Sequence, residues 1–514
     1  MKKKLAFALL LVALLANLPA RNGDVWEQSL EKFSTILSLV EANYYQPVDS
    51  EKLVYSAIRG VLETLDPHSY FLDPESFARM REEYTGKYYG LGIQIQKQED
   101  RLVVISPIEG GPASRLGILP GDVISHINGE STKPISSFDA MQKLRGPRGT
   151  RVTITIVREG LEAPFDLTIE RAEIPLRSVP YAFMINDEVG YIFIRNFAET
   201  TTEEFEEKMR ELTSQGMKSL VLDLRGNTGG PFFQSLAIAD EFLPRGAAIV
   251  SIKGRNKFFN REFRAQRDGQ FEHVPLVILI NRGSASASEI VSGAVMDNDR
   301  GFIVGEDSWG KGLVQTVFPL GENLAVALTT AQYLTPSGRF IQRDYAHIDD
   351  YILYKKAPEE NREVRYTARG RRVLGQGGIS PDFEVPFSRK LLTLELMNRG
   401  AFFTYARKLT SRQTPLARSI SLPDGQSGNK EFIVDSRVLD DFQAYLKSIK
   451  ISFEAEKFKE AEEEIKRELT REIYSSLWGI EAGVAAYQKS DAAVLKALEV
   501  MPEAAKFLAA SHCP

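Results

Sequence analysis

From about Glu173 to Phe387 the chain alternates short apolar runs with segments whose apolar residues recur at helical spacing. Val189–Ile194, Ser219–Leu224 and residues 274–280 are too continuously apolar to leave a face in water, so each is expected as a strand covered on both sides. Between and after them, Thr202–Gln215 turns Phe205, Met209 and Leu212 to one side, and residues 234–242 and 287–296 also follow the helical pattern. Strands buried on both faces and separated by helices require a layered α/β domain, and this requirement narrows the fold more than any other feature of the sequence.

The flanks have other textures. At 514 residues the chain exceeds a single core, and three or four domains are expected. Met1–Lys4 is basic, Leu5–Leu15 is apolar, and Ala16–Ala20 offers a small residue for cleavage, so residues 1–20 read as a signal peptide, with an uncleaved anchor as the alternative. Residues 21–84 read as helical, with Trp26, Leu30, Phe33, Ile36, Leu37 and Val40 on one stripe expected to pack into a core or against another subunit. Residues 85–172 are rich in short strands and glycine turns, such as Pro120–Asp122 and Asn128–Gly129, with a short helix from Phe138 to Leu144. Residues 388–514 return to helix, and Phe453–Leu469 is expected to present a solvated face of Glu and Lys.

Composition removes several chemistries. The formal net charge of −5 gives no basic footprint for nucleic acid. One cysteine, Cys513, excludes intrachain disulfides and thiolate metal sites, and five histidines without an HExxH pattern argue against a zinc hydrolase. Neither a metal nor another cofactor is expected.

Three segments have the makings of a site. Leu279–Ile290 runs from an apolar strand through small residues into a helix, with Ser286 and Glu289 spaced as a capping box at the positive end of the helix dipole. Val304–Gln315 carries Lys311 between two glycines, beside Trp309, Leu313 and Val314, whose apolar surroundings favour a neutral amine. Leu220–Gly230 is a buried strand opening into a glycine turn whose amides suit an oxyanion hole; a phosphate cradle is the rival, without a Walker lysine. Taken singly, Ser286 reads as a helix cap and Lys311 as a turn lysine.

Together and in order, these segments resemble the carboxyl-terminal processing peptidases, or tail-specific proteases. The matching motifs are Gly-Ser-Ala-Ser-Ala-Ser-Glu, Gly-Lys-Gly-x-Val-Gln and Asp-Leu-Arg-Gly-Asn-x-Gly-Gly, with Ser286 and Lys311 separated by 311 − 286 = 25 residues. The resemblance implies a crotonase/ClpP-like serine protease core in a multidomain α+β chain. It also implies Ser286 as nucleophile, Lys311 as general base, Gln315 as its support, and the amides of Ala287 and of Gly229 or Gly230 as oxyanion donors. Tyr89–Ile93 and Gly111–Asp122 are similar to the family's PDZ domain, so Leu91, Gly92 and Ile93 are implied in holding a substrate's terminal carboxylate, and Arg145 in coupling that event to the site. Leu65–Ser69, Thr330–Arg339 and Gly378–Asp382 complete a match over about residues 57 to 385.

The implied function is endoproteolysis of exported or envelope proteins near free apolar C-termini, in the periplasm or cell envelope. An adaptor protein and self-association are further expectations. A catalytically silent peptide-binding scaffold is the alternative, and a Ser-His-Asp hydrolase is disfavoured because no G-x-S-x-G elbow surrounds Ser286. The chain departs from the family pattern at Thr228, at Pro231-Phe232-Phe233, and in an insertion at about 343–375 containing Lys355, Lys356, Arg362, Arg365, Arg369, Arg371 and Arg372, expected as a solvated surface loop.

Overall fold

The computed structural model describes residues 23–321, 323–355, 358–420, 423 and 431–509. The leader at residues 1–20, Lys356 and Cys513 lie outside the described residues. The chain divides into two compact units, one of residues 1–74 with 317–328 and one of residues 75–316 with 329–514.

In the first unit, helices Gly23–Asn43 and Ser50–Glu63 precede a short strand, Tyr70–Leu72, which pairs antiparallel with Ala325–Ala327. The Asp49 side chain caps the second helix by accepting from the Lys52 amide. The apolar stripe of the first helix is not packed into a core: Trp26, Leu30, Phe33 and Ile36 are exposed. No helix among the described residues is long and apolar enough to cross a membrane.

The second unit is centred on the layered domain. Its sheet has the order Tyr181–Met184, Val189–Phe193, Ser219–Asp223, Leu276–Ile280, Phe302–Gly305, Phe383–Glu384. Only the first of these pairings is antiparallel. Alternation along each strand sorts the side chains into two layers. Leu220, Leu222, Ile278 and Ile280 pack with the helices Thr201–Ser214, Phe232–Asp240 and Ala287–Asp297. Val221, Val277, Leu279 and Val304 face the other way and are covered by Val494, Ala497, Val500 and Met501 of the helix Ala492–Ala509. The C-terminal region thus supplies one whole layer of the core.

A separate antiparallel sheet begins with Ile93–Gln98 at its edge and buries Leu102, Val104, Ile124, Ile154 and Ile156 beneath the helix Ser137–Leu144. A capping box between Ser136 and Asp139 starts that helix. The C-terminal helices between Leu391 and Trp478 enclose their own core of Leu396, Phe402, Tyr405, Phe442, Ile465 and Leu469. The charged stretch expected as one helix from Phe453 to Leu469 breaks at Ala461 into Ala455–Glu460 and Glu462–Trp478. Lys457 and Lys466 pair with neighbouring glutamates on its surface, whereas Glu468 turns inward to Arg389 and Arg471.

The insertion corrects the sequence expectation. It is not a solvated loop throughout: it contains a helical turn, Ile348–Ile352, and a hairpin of Val364–Tyr366 with Arg372–Leu374. Tyr351 and Arg362 are 3% and 5% exposed. Arg371 pairs with Asp299 and Asp382 of the core.

Candidate active site

Ser286 stands between the strand Leu276–Ile280 and the helix Ala287–Asp297, with φ +55° and ψ −111°. A side-chain-bearing residue held at positive φ costs on the order of 1–3 kcal/mol and persists only where its surroundings fix it. Here they do. The Ser286 amide donates to Glu289 Oε2 (2.8 Å), and the Ser286 carbonyl accepts from the amides of Glu289 (2.9 Å) and Ile290 (3.0 Å). Because the Glu289 amide is satisfied by that carbonyl, the helix start needs no bond from the serine hydroxyl.

Glu289 does more than cap. Its carboxylate is buried and accepts four hydrogen bonds: Ser308 Oγ (2.6 Å) and the Gly310 amide (2.6 Å) on Oε1, and the amides of Lys311 (2.9 Å) and Ser286 on Oε2. One carboxylate oxygen therefore joins the backbones of Ser286 and Lys311 directly. Burial raises its pKa above the ordinary glutamate value, against the lowering effect of these donors. A second bridge comes from Tyr333, whose hydroxyl donates to the carbonyls of Lys311 and Ser286. Burial pushes the Tyr333 phenol well above its ordinary pKa, so it remains a donor. The Trp309 amide adds a third tie, to the Ser284 carbonyl (2.8 Å).

The glycine turn reaches the same place from the neighbouring strand. The Asn227 carbonyl accepts from the Ala285 amide and Ser288 Oγ, both at 2.9 Å. A Cβ on Gly229, at φ +102°, would lie 2.8 Å from Ser286 Cβ and 3.0 Å from the Ala287 nitrogen, so only glycine fits. The two candidate glycines differ. The Gly229 amide is engaged by Asn227 Oδ1 (2.9 Å), while the amides of Gly230 and Ala287 make no hydrogen bond among the described residues. Of the two glycine amides, only that of Gly230 is therefore left unengaged among the described residues.

Gln315 lies at the start of the strand Leu313–Gly321, and its amide donates to Thr329 Oγ1 (3.3 Å). In the small β-rich domain, Leu91 is buried and its carbonyl accepts from Ala113, Gly92 has φ +71°, and Ile93 opens the edge strand. Arg145 follows the helix Ser137–Leu144; its guanidinium pairs with Glu82 (2.8 Å) and lies 4.3 Å from the centre of the Tyr88 ring. Among the described residues no group of three or more His, Cys, Asp or Glu is arranged to hold a metal.

Sequence reasoning missed Tyr333, Asn227 and Ser308, and saw Glu289 only as a cap. Their shared signal is a polar residue beside an apolar strand or inside a small-residue turn, which acquires meaning only once partners from other segments are in place.

Comparison with known proteins agrees with this architecture. Residues 188–351 match the model of peptidase family S41, residues 103–158 that of a PDZ domain, and residues 15–76 that of the activating protease CtpB N-terminal domain. The carboxy-terminal-processing protease of Bartonella bacilliformis is 36% identical over 386 residues, covering 73% of this chain and 88% of its own. This chain belongs to the carboxy-terminal-processing protease family. Another relative, the carboxy-terminal processing protease CtpA of Bacillus subtilis, is 32% identical over 353 residues, 66% of this chain and 75% of its own. Among solved structures, the photosystem II D1 C-terminal processing protease is 29% identical, covers 68% of this chain and 86% of its own, and has a TM-score of 0.37. The chain is thus a serine peptidase of family S41 with a PDZ domain, a module that binds peptide C-termini.

Proposed function

We propose that this serine peptidase works through a Ser286–Lys311 dyad on exported or envelope proteins, cutting near apolar C-termini that its PDZ domain captures. The observation that carries the dyad is the Glu289 carboxylate, which holds the Ser286 and Lys311 amides on one oxygen although the two residues lie 25 apart in sequence. In the reaction, the Lys311 amine takes the Ser286 hydroxyl proton, and Oγ attacks the scissile carbonyl. The tetrahedral oxyanion is held by the amides of Ala287 and Gly230. Lys311 returns the proton to the leaving amine, and water then releases the acyl group by the same steps. Gln315 supports the lysine from the adjoining strand. In the PDZ domain, the loop through Leu91, Gly92 and Ile93 receives the terminal carboxylate while the tail lies along the edge strand, and Arg145 relays capture to the core.

The leader pattern at residues 1–20 supports export, and the exposed stripe of the helix Gly23–Asn43 supports self-association through that helix. An adaptor is an additional partner to be sought among copurifying proteins.

The deciding experiment incubates wild type, Ser286→Ala and Lys311→Ala with a peptide ending in apolar residues and follows products by mass spectrometry. Cleavage by wild type alone is expected. Turnover by either variant at the wild-type rate contradicts the dyad, and binding without product from any of the three returns the silent scaffold.

A further inference from the structure

The residues that follow Gln342 close around the segment that carries Lys311. Arg343 is 6% exposed. Its amide donates to the Gly310 carbonyl (3.0 Å), its Nε to the Trp309 carbonyl (2.5 Å) and its Nη2 to the Tyr351 carbonyl (3.1 Å). The guanidinium carbon lies 4.5 Å from the ring centre of Trp309, 4.4 Å from Tyr351 and 4.3 Å from Tyr354, an aromatic cage around one cation. The cage is itself cross-linked to the lysine segment. Trp309 Nε1 donates to the Tyr351 hydroxyl (2.9 Å), and the Tyr354 hydroxyl donates to the carbonyls of Ser308 (2.6 Å) and Asp307 (3.1 Å). From the middle of the insertion, Arg362 donates to the carbonyl of Gly375 at its far end (2.8 Å) and to Ser380 Oγ beyond it (3.1 Å), which fixes its base.

These contacts converge on residues 307–310, immediately before Lys311. Lys311 sits between two glycines, the least restrained backbone available, and Gly310 has φ +84°. Such a segment keeps one conformation only if its surroundings hold it. Glu289 and Tyr333 hold it to the nucleophile turn; the Arg343 cage holds the residues just upstream. We propose that residues 343–354 are a positioning element for the general base, in which Arg343, Tyr351 and Tyr354 act on Lys311 through Trp309 and Gly310. The inference rests on the Ser286–Lys311 reading. It gives the insertion a role in the chemical step, and it makes Arg343 a residue that lysine cannot replace, since an ammonium lacks the flat face and the forked donors.

The test uses the full chain and compares Arg343→Lys, Arg343→Ala and Tyr351→Phe with wild type. It measures kcat and KM on a peptide with an apolar C-terminus, the rate at which a fluorophosphonate labels Ser286, and the thermal midpoint. Arg343→Ala is expected to lose roughly tenfold to a hundredfold in kcat, as a displacement of about 1 Å would cause. KM should be unchanged and the labelling rate should fall in parallel; Arg343→Lys should not restore either. Where Arg343→Ala fails to fold, Tyr351→Phe, which removes one oxygen and keeps the ring, decides by the same readouts with a smaller loss. Unchanged kcat and labelling in folded variants overturns the proposal. A lowered thermal midpoint with normal labelling overturns it too, because a merely structural role would give that pattern. Lys311→Ala is run alongside. If it retains turnover, the dyad itself fails; if it is inactive while the Arg343 and Tyr351 variants behave as wild type, only this inference fails.

Discussion

At the scale of single residues, the site depends on a fully buried acceptor. Each oxygen of Glu289 faces two donors, so a glutamine there must turn its NH₂ toward two N–H groups, or toward one N–H and the Ser308 hydroxyl. Glu289→Gln is therefore expected to cost about 1–3 kcal/mol of stability, measured by denaturant unfolding, and to depress kcat strongly. Burial raises the Glu289 pKa above 4.5, so its contribution to stability is fully present below that pH and is lost as pH rises through the folded pKa. Activity runs the other way, because a protonated carboxyl gives up one of its four bonds. The acid limb of the pH–kcat profile should consequently lie above pH 4.5. Gly229→Ala tests the opposite kind of constraint: its Cβ would force Ser286 and Ala287 apart, and turnover should fall at least a hundredfold, on the order of losing an oxyanion donor.

Among elements, the helix Ala492–Ala509 carries an unexpected weight. It covers the sheet face of Val221, Val277, Leu279 and Val304, and its N-terminus is tied to the glycine turn. Asp491 caps it by accepting from the amides of Ala493 and Val494, and also pairs with Arg225 (2.8 Å), which is itself held by Asp223 at the end of the strand before the turn. Removing residues 388–514 should therefore expose a continuous apolar layer and yield insoluble or unfolded protein, visible as loss of soluble expression. A soluble, active truncated chain would contradict this account. Asp491→Ala is the milder version: it leaves the Arg225 guanidinium without one partner and removes a cap, for about 1–3 kcal/mol.

On the scale of the whole molecule, a peptide-capturing domain is joined to a hydrolytic one within a single compact unit. The C-terminal helices reach the PDZ domain as well as the core: Lys408 pairs with Glu159 (3.8 Å), and the Arg407 guanidinium lies against Gly121. If the carboxylate of the substrate tail is what the PDZ domain grips, amidating that C-terminus should weaken binding of the peptide to the Ser286→Ala protein at least tenfold, read by calorimetry. The same peptide extended by charged residues should bind no better.

The sequence by itself determined the layered core, because strands such as Leu276–Ile280, apolar at every residue, have no other stable environment. It also determined the order of the site segments and the candidates Ser286 and Lys311, because small residues and glycines at those turns are local requirements. Only the tertiary structure decided what holds those candidates together. That Glu289 and Tyr333 bridge two turns, that Asn227 occupies the Gly229 amide and leaves that of Gly230, and that the insertion folds back as a cage around Arg343 are consequences of contacts between distant segments. A stripe on one helix shows which residues are apolar but not what covers them, and the exposed face of Gly23–Asn43 differs from the covered face of the core sheet for that reason. Periodicity is a property of a segment, whereas burial and hydrogen-bond partners belong to the assembled fold.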